Sequence, residues 1–203
     1  MSDNRKEEII LATLELASKI GLGAVSMNMI AEKVGIKKPS LYNHFESKEQ
    51  LIEEMYKYLR KRAEQKANIN NNWCNIPDNV SANDILKGAI KNYIKINEDK
   101  NILMFYKLIY TERTISQEAS KIMLEETNKM IFATKKLFEI MQTKKLLHFE
   151  DIEISAIAFA LTVHAFMDYE MDKSFNNNGN LSVECKLIDR YIDDFCKNYR
   201  LGK

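Results

Sequence analysis

The chain has 203 residues, 45% apolar and 29% charged, a balance that suits a globular protein with a real core and excludes collagen-like, mucin-like and disordered classes. Only 6 glycines and 2 prolines punctuate it, too few for an all-β meander, so long helices with short loops are expected. The formal net charge of +1 gives no global sign of a nucleic-acid or membrane partner, so any case for DNA must rest on local charge. Cys74, Cys185 and Cys196 are too few and too scattered for a disulfide framework; structural thiols are the expectation. The N-terminus has no basic start followed by an apolar stretch and a cleavage site, which predicts a cytoplasmic location.

Taken in chain order, residues 5–20 carry an apolar stripe at helical spacing through Ile9, Ile10, Leu14, Ala17 and Ile20. Gly21 and Gly23 close that helix. Ser26 reads as the N-cap of a short helix that stops at Gly35. A second short helix is expected over Lys38 to Phe45, with Pro39 in its first turn. Ser47 with Gln50 reads as a capping box opening a long helix through Leu51, Met55 and Leu59. The polar stretch 68–83 is the best linker candidate, and four helical patterns follow at about 84–98, 101–113, 116–143 and 151–173. Asparagines around 176–180 break the pattern, and a last helix is expected over about 182–199. The fold class is all-α, with roughly nine helices.

The sharpest signal lies in the first fifty residues. Two short helices joined by a tight turn at Gly35, braced by a longer preceding helix, make a helix-turn-helix unit. The second helix of such a unit can enter the major groove while the first crosses the backbone. Here it would present Lys37, Lys38, Ser40, Tyr42, Asn43 and His44 outward and keep Leu41 and Phe45 for the core. Between Asn28 and Lys48 four lysines stand against two glutamates, a modest positive patch of the kind that neutralises phosphate.

Ile30-Ala31, Gly35-Ile36, Leu41-Tyr42-Asn43-His44-Phe45, Ser47-Lys48-Glu49 and Leu51 together resemble the TetR family of bacterial transcriptional regulators over about residues 9–55. The resemblance implies a DNA-binding domain at 1–56 and a ligand-binding and dimerisation domain at 57–203. It implies DNA contact by Ser26, Asn28, Lys37, Lys38, Ser40, Tyr42, Asn43, His44 and Lys48, with phosphate contacts for Tyr42, His44 and Lys48. Arg5 and Lys6 could add backbone contacts from the N-terminal arm. The sequence departs from the family pattern at Lys37, Pro39, Asn28 and Asn43, where serine, glycine, arginine and tyrosine are common. The operator is therefore this protein's own.

The segment 152–167 is apolar on nearly every face and must be covered on all sides, though it is short for a bilayer. The resemblance pairs it and the last helix with their symmetry mates, through Phe159, Phe166, Leu187, Tyr191 and Phe195. An apolar effector pocket is expected among Tyr93, Phe105, Tyr106, Tyr110, Met130 and His164. The expected partners are thus an operator duplex, a small-molecule effector and a second copy, with no membrane; the expected role is repression. No cofactor or metal is expected. The alternative is a helical enzyme or metal-binding protein using His148, His164 and Asp168, for which no phosphate loop, HExxH or GxSxG motif speaks.

Overall fold

The structure, a computed structural model, describes residues 2–70, 79–97, 99–178 and 183–200, so Cys74 and Pro77 lie outside the described residues. Among these residues there are nine helices and no strand. Contacts divide the chain into two compact units, 1–71 with 95–124 and 72–94 with 125–203.

The first unit begins with α1 (Ser2–Ile20), α2 (Met27–Val34) and α3 (Lys38–Tyr42). The Ser26 side chain accepts the Met29 N–H and starts α2, and Gly35 ends it at φ 72°, a left-handed angle that a side chain resists. Helix α3 ends earlier than expected. After Tyr42 the N–H groups of His44 and Phe45 both turn back to the Leu41 carbonyl, at 3.0 and 3.1 Å, and the helix goes no further. α4 (Lys48–Asn70) opens as a variant of the expected box: Ser47 Oγ accepts the Gln50 N–H at 3.1 Å, and Gln50 Oε1 accepts from Glu46.

α6 (Lys100–Glu112) completes this unit, because its Phe105, Leu108 and Ile109 enter the same core as Leu14, Leu41 and Tyr56. The compact unit that holds the helix-turn-helix therefore reaches past residue 56. Asp99 caps α6, accepting from the N–H groups of Asn101 and Ile102 while Arg62 and Lys66 of α4 pair with its carboxylate. Burial by itself would raise the Asp99 carboxyl, but Lys66, those two N–H groups and Arg62 outweigh it and hold the group down at about 2. A depressed carboxyl adds stability above its unfolded value and loses it as pH falls through the folded one. Asp99→Asn should therefore be less stable than wild type by about 1–2 kcal/mol at pH 7, with the gap closing between pH 4 and pH 2. Urea unfolding at the two pH extremes measures it; a gap that persists at pH 2 would refute the ionic origin.

The second unit holds most of α5 (Ala82–Asn97) and α7 (Gln117–Thr143), with α8 (Ile152–Asn178) and α9 (Lys186–Asn198). Its core is aromatic. Phe138 stacks on Phe149 at 4.5 Å and meets Phe159 and Phe195 at 5.4 and 5.5 Å, which joins α7, α8, α9 and the connection before α8. α8 runs past the expected end at 173, since the helix continues through its polar tail. By length and composition alone α8 as a whole is long and apolar enough to cross a bilayer, a test that the core helix of a globular protein also passes. One face of it is nevertheless committed to the aromatic core, and Ser155 and Glu170 are buried on it. Cys185 precedes α9 as its capping residue and Cys196 lies near its end, both only half-buried; burial pushes the Cys196 thiol up to about 11.

Candidate nucleic-acid interface

The helix-turn-helix of α2 and α3 presents a polar, basic face on a closed apolar interior. Leu41 and Phe45 are fully buried, while Lys37, Lys38, Pro39, Ser40, Tyr42 and Asn43 are exposed and His44 is half-buried. This division follows from a helix barely longer than one turn: only one side can face the core, and Leu41 occupies it. Lys38 and Tyr42, four residues apart, share a face, and the Lys38 ammonium lies 5.9 Å from the Tyr42 ring centre. The backbone of Lys37 starts α3 without a side-chain cap, its carbonyl accepting from Ser40 at 2.9 Å, so its side chain stays outward. Ser26 and Asn28 are exposed at the start of α2, Ser26 with its oxygen engaged by Met29 at 3.3 Å.

Three cations proposed for phosphate are already engaged within the chain. Arg5 pairs with Glu8 at 2.7 Å, and Lys6 lies 5.7 Å from the Phe45 ring centre. Lys48 donates to the carbonyls of Leu22 and Gly23, at 2.9 and 3.4 Å, across the turn between α1 and α2. Sequence spacing could not show this contact, because it joins residues 26 positions apart.

The six residues expected to line an effector pocket fall in both units, three in each. Phe105 is fully buried, edge-on to Tyr56 at 6.0 Å, which makes it a core residue with no surface for a ligand. Tyr106 packs beside it, and Tyr110 is 43% exposed under the Arg113 guanidinium at 4.0 Å. Tyr93 borders the aromatic core, and Met130 and His164 are half-buried in the second unit. A groove of about 320 Å³ lies elsewhere in the first unit, with Leu11, Val34 and Met104 among its lining residues.

The residues expected at a dimer interface also divide. Phe159 and Phe195 are buried in the aromatic core of their own chain, whereas Phe166, Leu187 and Tyr191 are only partly covered. The exposed apolar face of α8 is a different set: Ile154 at 58%, Leu161 at 45% and Tyr169 at 57%, with the exposed Ala158 and Ala165 between them. Steps of four, three, four and four residues place all five on one stripe. Sequence reading missed it because α8 is apolar all round, so periodicity carries no information about which side its own chain covers.

For the enzymatic alternative, His164 Nδ1 lies 3.6 Å from Asp168 Oδ2 on α8, and His148 is exposed, its backbone N–H donated to the Tyr199 carbonyl at 2.8 Å. Among the described residues no group of three or more His, Cys, Asp or Glu side chains is placed to hold a metal ion.

Residues 9–55 match the family model described as bacterial regulatory proteins, tetR family. The uncharacterized HTH-type transcriptional regulator YhgD of Bacillus subtilis is 33% identical over 67 residues, which are 33% of this chain and 35% of that protein. The tetracycline repressor protein class C of Escherichia coli is 32% identical over 53 residues, 26% of this chain and 24% of the repressor. The chain thus aligns with about a third or less of these relatives' lengths. A crystal structure from Mesorhizobium loti, described as a TetR-family transcriptional regulator, superposes with a TM-score of 0.70 over 99% of both chains at 19% identity, which shows a common fold.

Proposed function

We propose that this chain, a TetR-family protein by its residues 9–55 and its fold, is a transcriptional repressor that binds a pseudo-palindromic operator as a homodimer and is released by a small, largely apolar effector. The observation that carries the reading is the reading head: a helix-turn-helix with Leu41 and Phe45 sealed inside and Lys37, Lys38, Ser40, Tyr42 and Asn43 facing out. Tyr42 and His44 are assigned phosphate oxygens; Lys37 and Lys38 are assigned base edges or phosphates; Ser26 and Asn28 flank the groove from α2. The α8 stripe is the face offered to a second copy, and twofold symmetry then requires two half-sites about one helical turn apart or somewhat wider. Effector release rests on kinship with regulators of this fold, and no cavity in the second unit is assigned to it.

Selection of operators from random DNA by the purified protein tests the reading. A palindromic consensus is the expected result, and recovery of unrelated sequences would reject sequence-specific binding. Tyr42→Phe and His44→Ala should then weaken binding on every sequence, because phosphate contacts position without specifying. Lys37→Ala or Lys38→Ala should change the preferred bases wherever either side chain reads an edge, with about 1–3 kcal/mol of discrimination at stake. Repeating the selection with each variant reads this out directly.

A further inference from the structure

The turn between α1 and α2 is held from two sides through one residue. The Leu22 N–H is donated to Glu112 Oε1 at 3.1 Å, and the Leu22 carbonyl accepts from Lys48 Nζ at 2.9 Å, with Gly23 at 3.4 Å sharing the ammonium. Glu112 is the last residue of α6, and Lys48 is the first of α4. Two helices from outside the helix-turn-helix therefore fix the peptides that lead into Ser26 and α2.

We propose that Glu112 and Lys48 are paired positioning residues for DNA recognition, and that Lys48 acts on the operator through the Leu22–Gly23 turn instead of by a phosphate contact. The inference rests on the reading that this chain binds an operator. Three features support it. Glu112 is only 8% exposed, and a carboxylate that deep in a protein needs a donor; among the described residues the Leu22 N–H supplies one. Leu22 is itself buried at 8%, and the turn it belongs to carries Gly21 at φ 78°, so its path is defined and its peptide groups point in fixed directions. The cation at the first position of α4 would oppose the helix macrodipole; binding two carbonyls offsets that cost without any anion.

Salt dependence separates positioning from phosphate contact. Each lost phosphate contact lowers the slope of log K against log salt by about 0.9, hence by about 1.8 for a dimer on its operator. Full-length Lys48→Met and Glu112→Ala should each weaken binding to the selected operator about tenfold or more with the slope unchanged. Glu112→Gln can still accept the Leu22 N–H and should stay within about threefold of wild type. Amide hydrogen exchange checks the geometry apart from DNA: Leu22 protection should fall in Glu112→Ala and persist in Glu112→Gln. Far-UV circular dichroism confirms that each variant is folded. A slope lowered by about 1.8 in Lys48→Met would overturn the proposal in favour of a phosphate contact, and so would a Glu112→Ala protein that binds like wild type. A wild-type protein that selects no operator would instead reject the underlying reading, and the Leu22 exchange result would then stand alone.

Discussion

Leu161→Arg should yield a folded monomer that no longer binds its operator specifically. Leu161 is 45% exposed in a single chain, so an arginine there can reach water and the thermal transition of the chain should hold. Against a second copy the same position sits in the middle of the α8 stripe, and a twofold axis brings two such arginines into one interface. An uncompensated charge buried there costs several kcal/mol, and about 4 kcal/mol corresponds to a thousandfold rise in the dimer dissociation constant. With one reading head per molecule, half the phosphate and base contacts are lost, and binding should fall to the non-specific range. Sedimentation equilibrium at micromolar concentration measures the first effect and operator titration the second. If the variant sediments as a dimer, the α8 stripe is not the interface. Leu187→Glu is the companion test for the contribution of α9, where the side chain is already partly covered by its own chain.

Phe138→Ala should remove about 3–5 kcal/mol of stability, the largest loss expected from a single truncation in the second unit. Its ring is fully buried and meets rings from three other parts of that core: Phe149 before α8, Phe159 on α8 and Phe195 on α9. Those neighbours are rigid aromatics, so the space is poorly refilled and the cavity cost adds to the lost burial. For a chain of this length each kcal/mol shifts the melting temperature by about 2–4 °C, which gives a drop of about 6–20 °C. Phe132→Ala, six residues earlier on the same helix, is the contrast. That ring is 61% exposed, and its removal should change stability by less than about 0.5 kcal/mol. Equal effects at the two positions would show that the aromatic cluster is not what holds the unit together.

The local rules of the helix-turn-helix are legible in the sequence. Ser26 caps α2, Gly35 ends it with a left-handed residue, Ser47 caps Gln50, and Leu41 and Phe45 turn inward, each as its residue type and spacing imply. Boundaries were less legible. α3 stops at Tyr42 instead of Phe45, and α8 runs to Asn178, because the ends of helices depend on which hydrogen bonds compete there, as the shared Leu41 carbonyl shows.

What the sequence by itself determined is everything that repeats within a helical turn or two: the all-helical class, the caps, the tight turn, and the outward set Lys37, Lys38, Ser40, Tyr42 and Asn43. These follow from interactions among residues at most a few positions apart, which a pattern of apolar and capping residues encodes directly. Only the tertiary structure decided that α6 belongs with the helix-turn-helix, that Lys48 and Glu112 meet at Leu22, that Phe159 and Phe195 are core, and that Ile154, Leu161 and Tyr169 face outward. Leu22 lies 90 positions from Glu112, and an all-apolar helix offers no face by periodicity. Such choices depend on which distant surfaces fill the space around a side chain, and packing between elements settles them.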